Sequence, residues 1–274
     1  MVGGIDLVGK VLDVPAEVSG IAVGDSVVIN GWGIGTDHFG GYAGEASLQS
    51  GWAIKLPQGM TSIDAAKIGT AGYTAMLCTQ AMEHSGVRSI SGPILVTGAT
   101  GGVGSVAIVL LAQLGYEVVA VSGKAAQEEE YLKSLGASKV IERALFEGEP
   151  RPLGKETYGG CIDSCGGKVL ANILPLMKHS GVVAACGLAA GMPFSTTVAP
   201  FILRGVTLAG VESALMPLER RLEVYTKFGP LLSGEKLGLI SSEEQTLSLG
   251  QVPDIAEQML KGGIKGRYVV DLNL

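Results

Sequence analysis

Charge, aromatic rings and cysteine are all sparse in this chain of 274 residues: Asp, Glu, Lys and Arg together make 17%, and aromatics 5%. No Lys/Arg-rich run occurs and the formal net charge is −6, which argues against a nucleic-acid surface. The four cysteines, Cys78, Cys161, Cys165 and Cys186, lie in apolar stretches without the C-x-x-C spacing of a structural zinc site. A reduced, cytoplasmic protein is the simplest reading. Hydrophobic residues reach 47% and mean hydropathy is +0.38, yet no uncharged apolar run is long enough to span a bilayer. No basic n-region with an apolar h-region opens the chain, so no signal peptide is expected. These exclusions leave a chain long enough for one large or two modest domains with an ample core.

What is abundant is glycine, with 42 residues, and one glycine-rich stretch organises the rest. From Ile94 to Lys124 the order is a short apolar run (Ile94 to Thr97), a turn (Gly98 to Gly104), a helix-period segment (Ser105 to Leu114) and a β-branched run (Val118 to Val121). Gly115 ends the helix. Strand, glycine turn, helix, strand is a dinucleotide-binding unit. Its turn residues Thr100, Gly101, Gly102 and Val103 are the candidate pyrophosphate contacts, Gly101 admitting the phosphates and Gly104 close helix packing. The fit to G-x-G-x-x-G is incomplete, because Ala99 stands where the first glycine belongs.

The end of the second strand selects the cofactor. An NAD site places an acid there for the ribose 2′-hydroxyl. Here Ser122-Gly123-Lys124 stands instead, with no acid until Glu128. A hydroxyl, an open backbone N–H and an ammonium suit a 2′-phosphate, which a carboxylate would repel. The plain alternative is a Ser122 that caps the next helix and a solvated Lys124. The position beside the ribose favours NADPH.

Before this unit, Met1 to Val11 is strand-like, Val23 to Ile29 is a turn entering a strand, and Gly31 to Gly44 is a glycine-rich loop of the kind that often carries function. Trp52 to Ile54 reads as a last strand, and Ser62 to Gly86 as helical, broken at Gly69-Thr70-Ala71-Gly72. After it, helices are expected at Glu128 to Leu135, Lys168 to Met177 and Pro217 to Leu232, the last closing the nucleotide domain. Strands are expected at Lys139 to Ile141, Cys161 to Cys165, Val182 to Cys186 and Val206 to Val211. The tail adds a helix (Asp254 to Leu260) and a strand (Tyr268 to Leu272) that returns to the first domain. The alternation predicts an α/β fold, a doubly wound parallel Rossmann sheet.

Several motifs together resemble the medium-chain dehydrogenase/reductase family: the G-x-D-x-x-G opening (Gly4, Asp6, Gly9), the Val23-Gly24-Asp25 turn, Gly69 to Ala75, and A-x-G-G-V-G. G-W-G-I-G-T-D-H-F-G-G (Gly31 to Gly41), V-S-G-K (Val121 to Lys124) and P-F-I-L-R-G-V (Pro200 to Val206) are similar to the zinc-independent, quinone-oxidoreductase-like branch with its NADPH-dependent acryloyl-CoA reductases. The resemblance implies a partial GroES-like β-rich domain at 1–89, an NADPH-binding Rossmann domain at 90–240 and a C-terminal return at 241–274. Family members carry further strands, and a tyrosine- and lysine-bearing loop, ahead of the G-x-D segment; the chain starts after them, and Gly3 replaces the usual proline.

Where zinc-dependent cousins have G-H-E, this chain has Gly4-Ile5-Asp6, and its histidines, His38, His84 and His179, are far apart, so no metal is expected. The activity implied is NADPH-dependent reduction of an enoyl thioester of the acryloyl-CoA type. A quinone or enone reductase, or a catalytically silent NADPH-binding protein lacking the first-domain loop, are the alternatives. The resemblance nominates Arg267 near the substrate, against a strand-capping arginine, and Thr70 near the nicotinamide ring, against an N-cap. It nominates Arg143 for the 2′-phosphate, against a solvated arginine. Leu188, Ile202 and Ser213 match positions lining the nicotinamide half, although Leu188 and Ile202 by themselves read as core. His38 is either substrate-facing or an ordinary loop histidine. A homodimer through the apolar strand Val206 to Val211 is also implied.

Overall fold

The computed structural model describes every residue except Ser233. It divides into two compact units, Met1–Tyr73 with Glu212–Leu274, and Thr74–Val211. In the first unit, β1 (Asp6–Lys10), β2 (Ser26–Asn30) and β3 (Ile54–Lys55) form an antiparallel sheet in the order β1-β2-β3. The register sets Asp6 opposite Asn30 and Lys10 opposite Ser26. Trp52, expected in a strand, ends a 3-10 turn (Ser50–Trp52), and the strand shrinks to Ile54–Lys55.

Helix α1 spans Ser62–His84. Its start is a capping box: Thr61 Oγ1 accepts the N–H of Asp64, and the Asp64 carboxylate accepts the N–H of Thr61. The expected break is present at a single residue, Gly69, whose φ of 48° and ψ of −162° are non-helical.

The second unit is the α/β part. In chain order it contains β4 (Ile94–Thr97), α2 (Gly102–Gln113), β5 (Val118–Ser122), α3 (Ala125–Ser134) and β6 (Lys139–Glu142). β7 (Tyr158–Asp163), α4 (Gly167–Ile173), β8 (Met177–Ala185), α5 (Ala199–Arg204) and β9 (Thr207–Gly210) follow. The sheet order is β6-β5-β4-β7-β8-β9, every pair parallel. Sequence order therefore reverses between β4 and β7, the switch point at which doubly wound sheets bind ligands beyond the carboxyl ends of their strands. β4, β5 and β7 are buried throughout, which explains continuous apolar runs in place of alternation. One core cluster joins Leu95, Val119 and Val121 to Val169, Ile173 and Val183.

Cys165 does not belong to the buried strand assigned to it. β7 ends at Asp163, and Cys165 lies in the turn before α4. β8 also starts earlier than its apolar run, at Met177, because Tyr158 pairs with Met177 ahead of a register shift.

The first unit resumes with α6 (Leu218–Leu231), α7 (Gly234–Ile240), β10 (Thr246–Leu247), α8 (Val252–Leu260) and β11 (Val269–Val270). The helix expected to close the nucleotide domain packs differently. The buried residues of α6 are Arg221, Val224, Tyr225 and Phe228, and Arg221 and Tyr225 both hydrogen-bond Asn30 of β2. An amphipathic stripe states that a helix is half-buried without naming its partner. The terminal strand is shorter than Tyr268 to Leu272, and pairs in parallel with β10, a two-residue strand that sequence patterning does not register. No helix among the described residues is long and apolar enough to cross a membrane.

Candidate functional site

The glycine turn sits at the carboxyl end of β4. Gly98 supplies the positive φ of 59° that turns the chain out of the strand. Ala99 in the first glycine position is therefore tolerated; it is fully buried and donates its N–H to Val121 O. A Cβ on Gly104 would collide with the Gly98 carbonyl oxygen and lie 2.7 Å from Ala99 Cα, so glycine permits α2 to meet the turn. Gly101 is the N-cap of α2, without a side-chain cap. The first intrahelical bond runs from Ser105 N to Gly101 O, so the N–H groups of Gly102, Val103 and Gly104 precede the ladder and mark an anion-binding helix start. Thr100 flanks this start and is largely buried.

The ends of β5 and β6 lie side by side, Ser122 opposite Glu142. Ser122 is buried and its Oγ accepts the N–H of Lys124 at 3.0 Å, so its hydroxyl holds the turn. Lys124, not Ser122, is the residue before α3. A Cβ on Gly123 would lie 3.2 Å from the Arg143 guanidinium carbon, so Arg143 rests against this glycine. Arg143 Nε also donates to Glu147 Oε1 at 2.7 Å. Arg143 thus comes from the end of β6 to Gly123, the neighbour of Lys124 in the chain, and a guanidinium and an ammonium are groups that can bind a phosphate. A feature that linear reading misses is Glu142, whose Oε1 accepts the N–H of Ala126 and caps α3. Its signal is only adjacency to Arg143.

Between β4 and β7 lies a buried acid that sequence patterning passes over as part of an apolar run. Thr97 Oγ1 donates to Asp163 Oδ1 at 2.7 Å and accepts the N–H of Ser164, while Asp163 Oδ2 accepts the N–H of Gly166. Burial raises the Asp163 pKa from its ordinary 3.8, opposed by those hydrogen bonds. The trio pins the strand ends that carry the glycine turn. Leu188 and Ile202 are not core: they are 56% and 73% exposed, in a segment after β8 and on α5. An exposed large apolar side chain is available to line a ligand surface.

In the first unit, Thr70 and Arg267 meet at one carboxylate, that of Asp6, while Ser213 lies against Arg221. Thr70 Oγ1 donates to Asp6 Oδ1 at 2.6 Å, and Arg267 Nη2 approaches Asp6 Oδ2 at 3.4 Å. Ser213 offers its backbone oxygen to Arg221 Nη2 at 2.9 Å. Arg221 is fully buried, and its guanidinium carbon stands 4.7 Å from the Trp32 ring centre and 5.0 Å from that of Tyr73. Burial pushes the Tyr73 hydroxyl up to about 12, so it stays neutral at physiological pH. In the glycine loop, Trp32 has a φ of 56°, unusual for a bulky residue, and stacks on Trp52, which His38 also approaches. Among the described residues, no group of three or more His, Cys, Asp or Glu is arranged to hold a metal ion.

The zinc-binding dehydrogenase family pattern matches residues 102–222. The probable acrylyl-CoA reductase AcuI of Escherichia coli K12 is 46% identical over 273 residues, covering 100% of this chain and 82% of that protein. The chain belongs to the medium-chain dehydrogenase/reductase family. Its place is in the branch that holds the acrylyl-CoA reductases and quinone-oxidoreductase-like proteins. The Salmonella enterica yhdH oxidoreductase, solved in complex with NADP, superposes with a TM-score of 0.94 at 43% identity, over 99% of this chain and 82% of that one. The Bacillus subtilis protein yhfP, solved with NAD bound, gives a TM-score of 0.92 at 37% identity, over 98% and 81%.

Proposed function

We propose that this protein is an NADPH-dependent reductase of the activated C=C bond of an enoyl thioester, of the acryloyl-CoA type. The observation that carries the reading is the likeness, at 46% identity over the whole of this chain and 82% of the relative, to a protein named as a probable acrylyl-CoA reductase. The glycine turn fits the pyrophosphate, since the N-cap Gly101 carries no side chain and the α2 N–H groups of Gly102 and Val103 precede the helix ladder. Lys124, the Gly123 backbone and Arg143 hold the 2′-phosphate, with Ser122 fixing their turn. Leu188 and Ile202 are assigned as apolar walls for the nicotinamide half, and Ser213 is assigned to the same half of the cofactor.

When bound, NADPH supplies the hydride, which is accepted at the β-carbon of the conjugated thioester. Negative charge then develops on the thioester oxygen until a proton from solvent is added at the α-carbon, completing the reduction. Arg267 is the cation assigned to stabilise that charge, and Thr70 is assigned to the reacting end of the cofactor. Two copies join through the β9 edge, T-L-A-G, which carries neither lysine nor proline to block pairing. The cysteines are free, which suits a reducing, cytoplasmic setting.

The test is loss of NADPH absorbance with acryloyl-CoA beside a panel of quinones, each repeated with NADH. Preferential turnover of acryloyl-CoA with NADPH supports the reading, and turnover confined to quinones overturns the substrate assignment. The quinone reading has its own support in a Bacillus subtilis relative named as a putative quinone oxidoreductase, 38% identical over 98% of this chain. Sedimentation at micromolar concentration tests the dimer; a monomer would contradict it.

A further inference from the structure

We propose that Asp6 is a positioning residue for the reduction, its single carboxylate fixing both the hydroxyl of Thr70 and the guanidinium of Arg267. The inference rests on the enoyl-thioester reading and adds a residue to it. In the sequence Asp6 is only a letter of the G-x-D-x-x-G opening. In the structure its Oδ1 accepts from Asn30 Nδ2 at 3.1 Å, from Thr70 N at 2.8 Å and from Thr70 Oγ1 at 2.6 Å. Its Oδ2 faces Arg267 Nη2 at 3.4 Å. Asn30 cannot turn away, because it is buried and its own Oδ1 accepts the Tyr225 hydroxyl at 2.7 Å.

Local backbone explains why these groups converge. Gly69 interrupts α1, and Thr70 restarts the helix with its N–H donated to Asp6 Oδ1 at 2.8 Å. A carboxylate at a helix start is favoured by the dipole as well as by that hydrogen bond. A Cβ on Gly69 would run into both Asp6 Oδ2 and Arg267 Nη2. Glycine at this bend is what lets acid and base meet.

The chemistry follows from donor count. A threonine hydroxyl has one proton, and a carboxylate can only accept. Thr70 Oγ1 gives its proton to Asp6, so the carboxylate fixes the direction of the hydroxyl. Stabilising a developing oxyanion is left to Arg267. Its Nε donates to Lys67 O at 3.0 Å and its Nη2 to Asp6, which together orient the guanidinium plane. Asp6 itself touches neither cofactor nor substrate in this scheme; it acts through its two partners.

Asp6→Asn keeps the shape and one acceptor oxygen but removes the counter-charge of Arg267. In the full chain, kcat with NADPH and acryloyl-CoA is expected to fall about 10- to 100-fold, the scale of a misplaced catalytic group. Affinity for 2′,5′-ADP, which carries only the adenosine end, should stay near wild type, while loss of the ion pair and of the charge at the helix start should lower the melting temperature by a few degrees. Asp6→Asn combined with Thr70→Val and Arg267→Lys should lose far less than the product of the separate losses. Inactive wild-type protein would sink the enoyl-thioester reading and leave Asp6 to be judged by binding. Asp6→Asn and Thr70→Val must then weaken NADPH while sparing 2′,5′-ADP, with the double variant no weaker than the worse single one. The proposal is overturned by an unchanged kcat in an active enzyme, by equal weakening of NADPH and 2′,5′-ADP, or by losses that multiply. If Asp6→Asn does not fold, Thr70→Val carries the test, because it leaves the carboxylate paired with Arg267; a normal kcat and normal NADPH affinity would overturn the proposal.

Discussion

Replacing Arg221 tests the polar core of the first unit. The side chain is fully buried, yet every nitrogen is used: Nε donates to Met216 O at 2.8 Å, Nη1 to Asn30 O at 2.8 Å, and Nη2 to Ser213 O and Ala214 O at 2.9 and 2.7 Å. Burial lowers its pKa from the ordinary arginine value, but a guanidinium stays charged at any pH at which the protein folds. In Arg221→Ala, the buried Asn30 carbonyl loses this donor, and the carbonyls of the 213–216 segment lose their shared one. Each buried group left unsatisfied costs about 1–3 kcal/mol. The two ring faces, Trp32 and Tyr73, add about 1–2 kcal/mol together, and relief from burying an ion offsets part of the sum. A net loss of about 3–5 kcal/mol follows, lowering Tm by on the order of 6–20 °C for a unit of this size. Arg221→Lys should recover only part of that, since three donors on one nitrogen cannot span four carbonyls. Thermal unfolding followed by tryptophan emission is a direct assay, because Trp32 lies against the guanidinium and Trp52 stacks on Trp32. A lysine variant as stable as wild type, or an alanine variant within about 1 kcal/mol of it, would refute the reasoning.

Three further outcomes are expected. Lys124→Ala with Arg143→Ala should weaken NADPH by about 10- to 100-fold, two charge-assisted contacts' worth, and leave NADH nearly unchanged; equal weakening in titrations rejects the 2′-phosphate assignment. Gly104→Val should destabilise by about 1–3 kcal/mol or more and abolish cofactor binding, since its Cβ meets backbone that cannot yield; normal NADPH affinity contradicts the packing role. Burial raises the Asp163 pKa, so in the pH interval between the ordinary and the raised value the folded protein binds more of this proton than the unfolded chain does. Its contribution is then most favourable below the ordinary value of 3.8 and declines as pH rises through the raised folded value. Urea unfolding of wild type and Asp163→Asn between pH 4 and 7 should show wild type losing ground with rising pH; a gap that moves the other way assigns control to the hydrogen bonds instead.

How much was legible depends on range. The strand, turn and helix from Ile94 to Ser122 follow from neighbouring residues, and the observed elements fall on the same residues to within a few positions. Gly69 announced its break because helical dihedrals and a glycine cluster conflict locally. Leu188 and Ile202 misled for the converse reason: apolar character states a preference for burial, and exposure depends on what the rest of the chain leaves uncovered.

By itself, then, the sequence determined what is written in short-range pattern: the α/β alternation, the glycine turn, the absence of an acid at Ser122 to Lys124, and the kinship those motifs carry. Tertiary structure alone decided which distant side chains meet. Asp6 reaches Thr70 across 64 positions and Arg267 across 261, and Arg221 reaches Asn30 across 191. A hydrogen bond is specified by distance and direction between two groups, and no local periodicity encodes either when the groups lie on different elements. Chain closure brought an acid from the first strand, a threonine from a broken helix and an arginine from the tail to one point, and only that meeting gives Asp6 its proposed role.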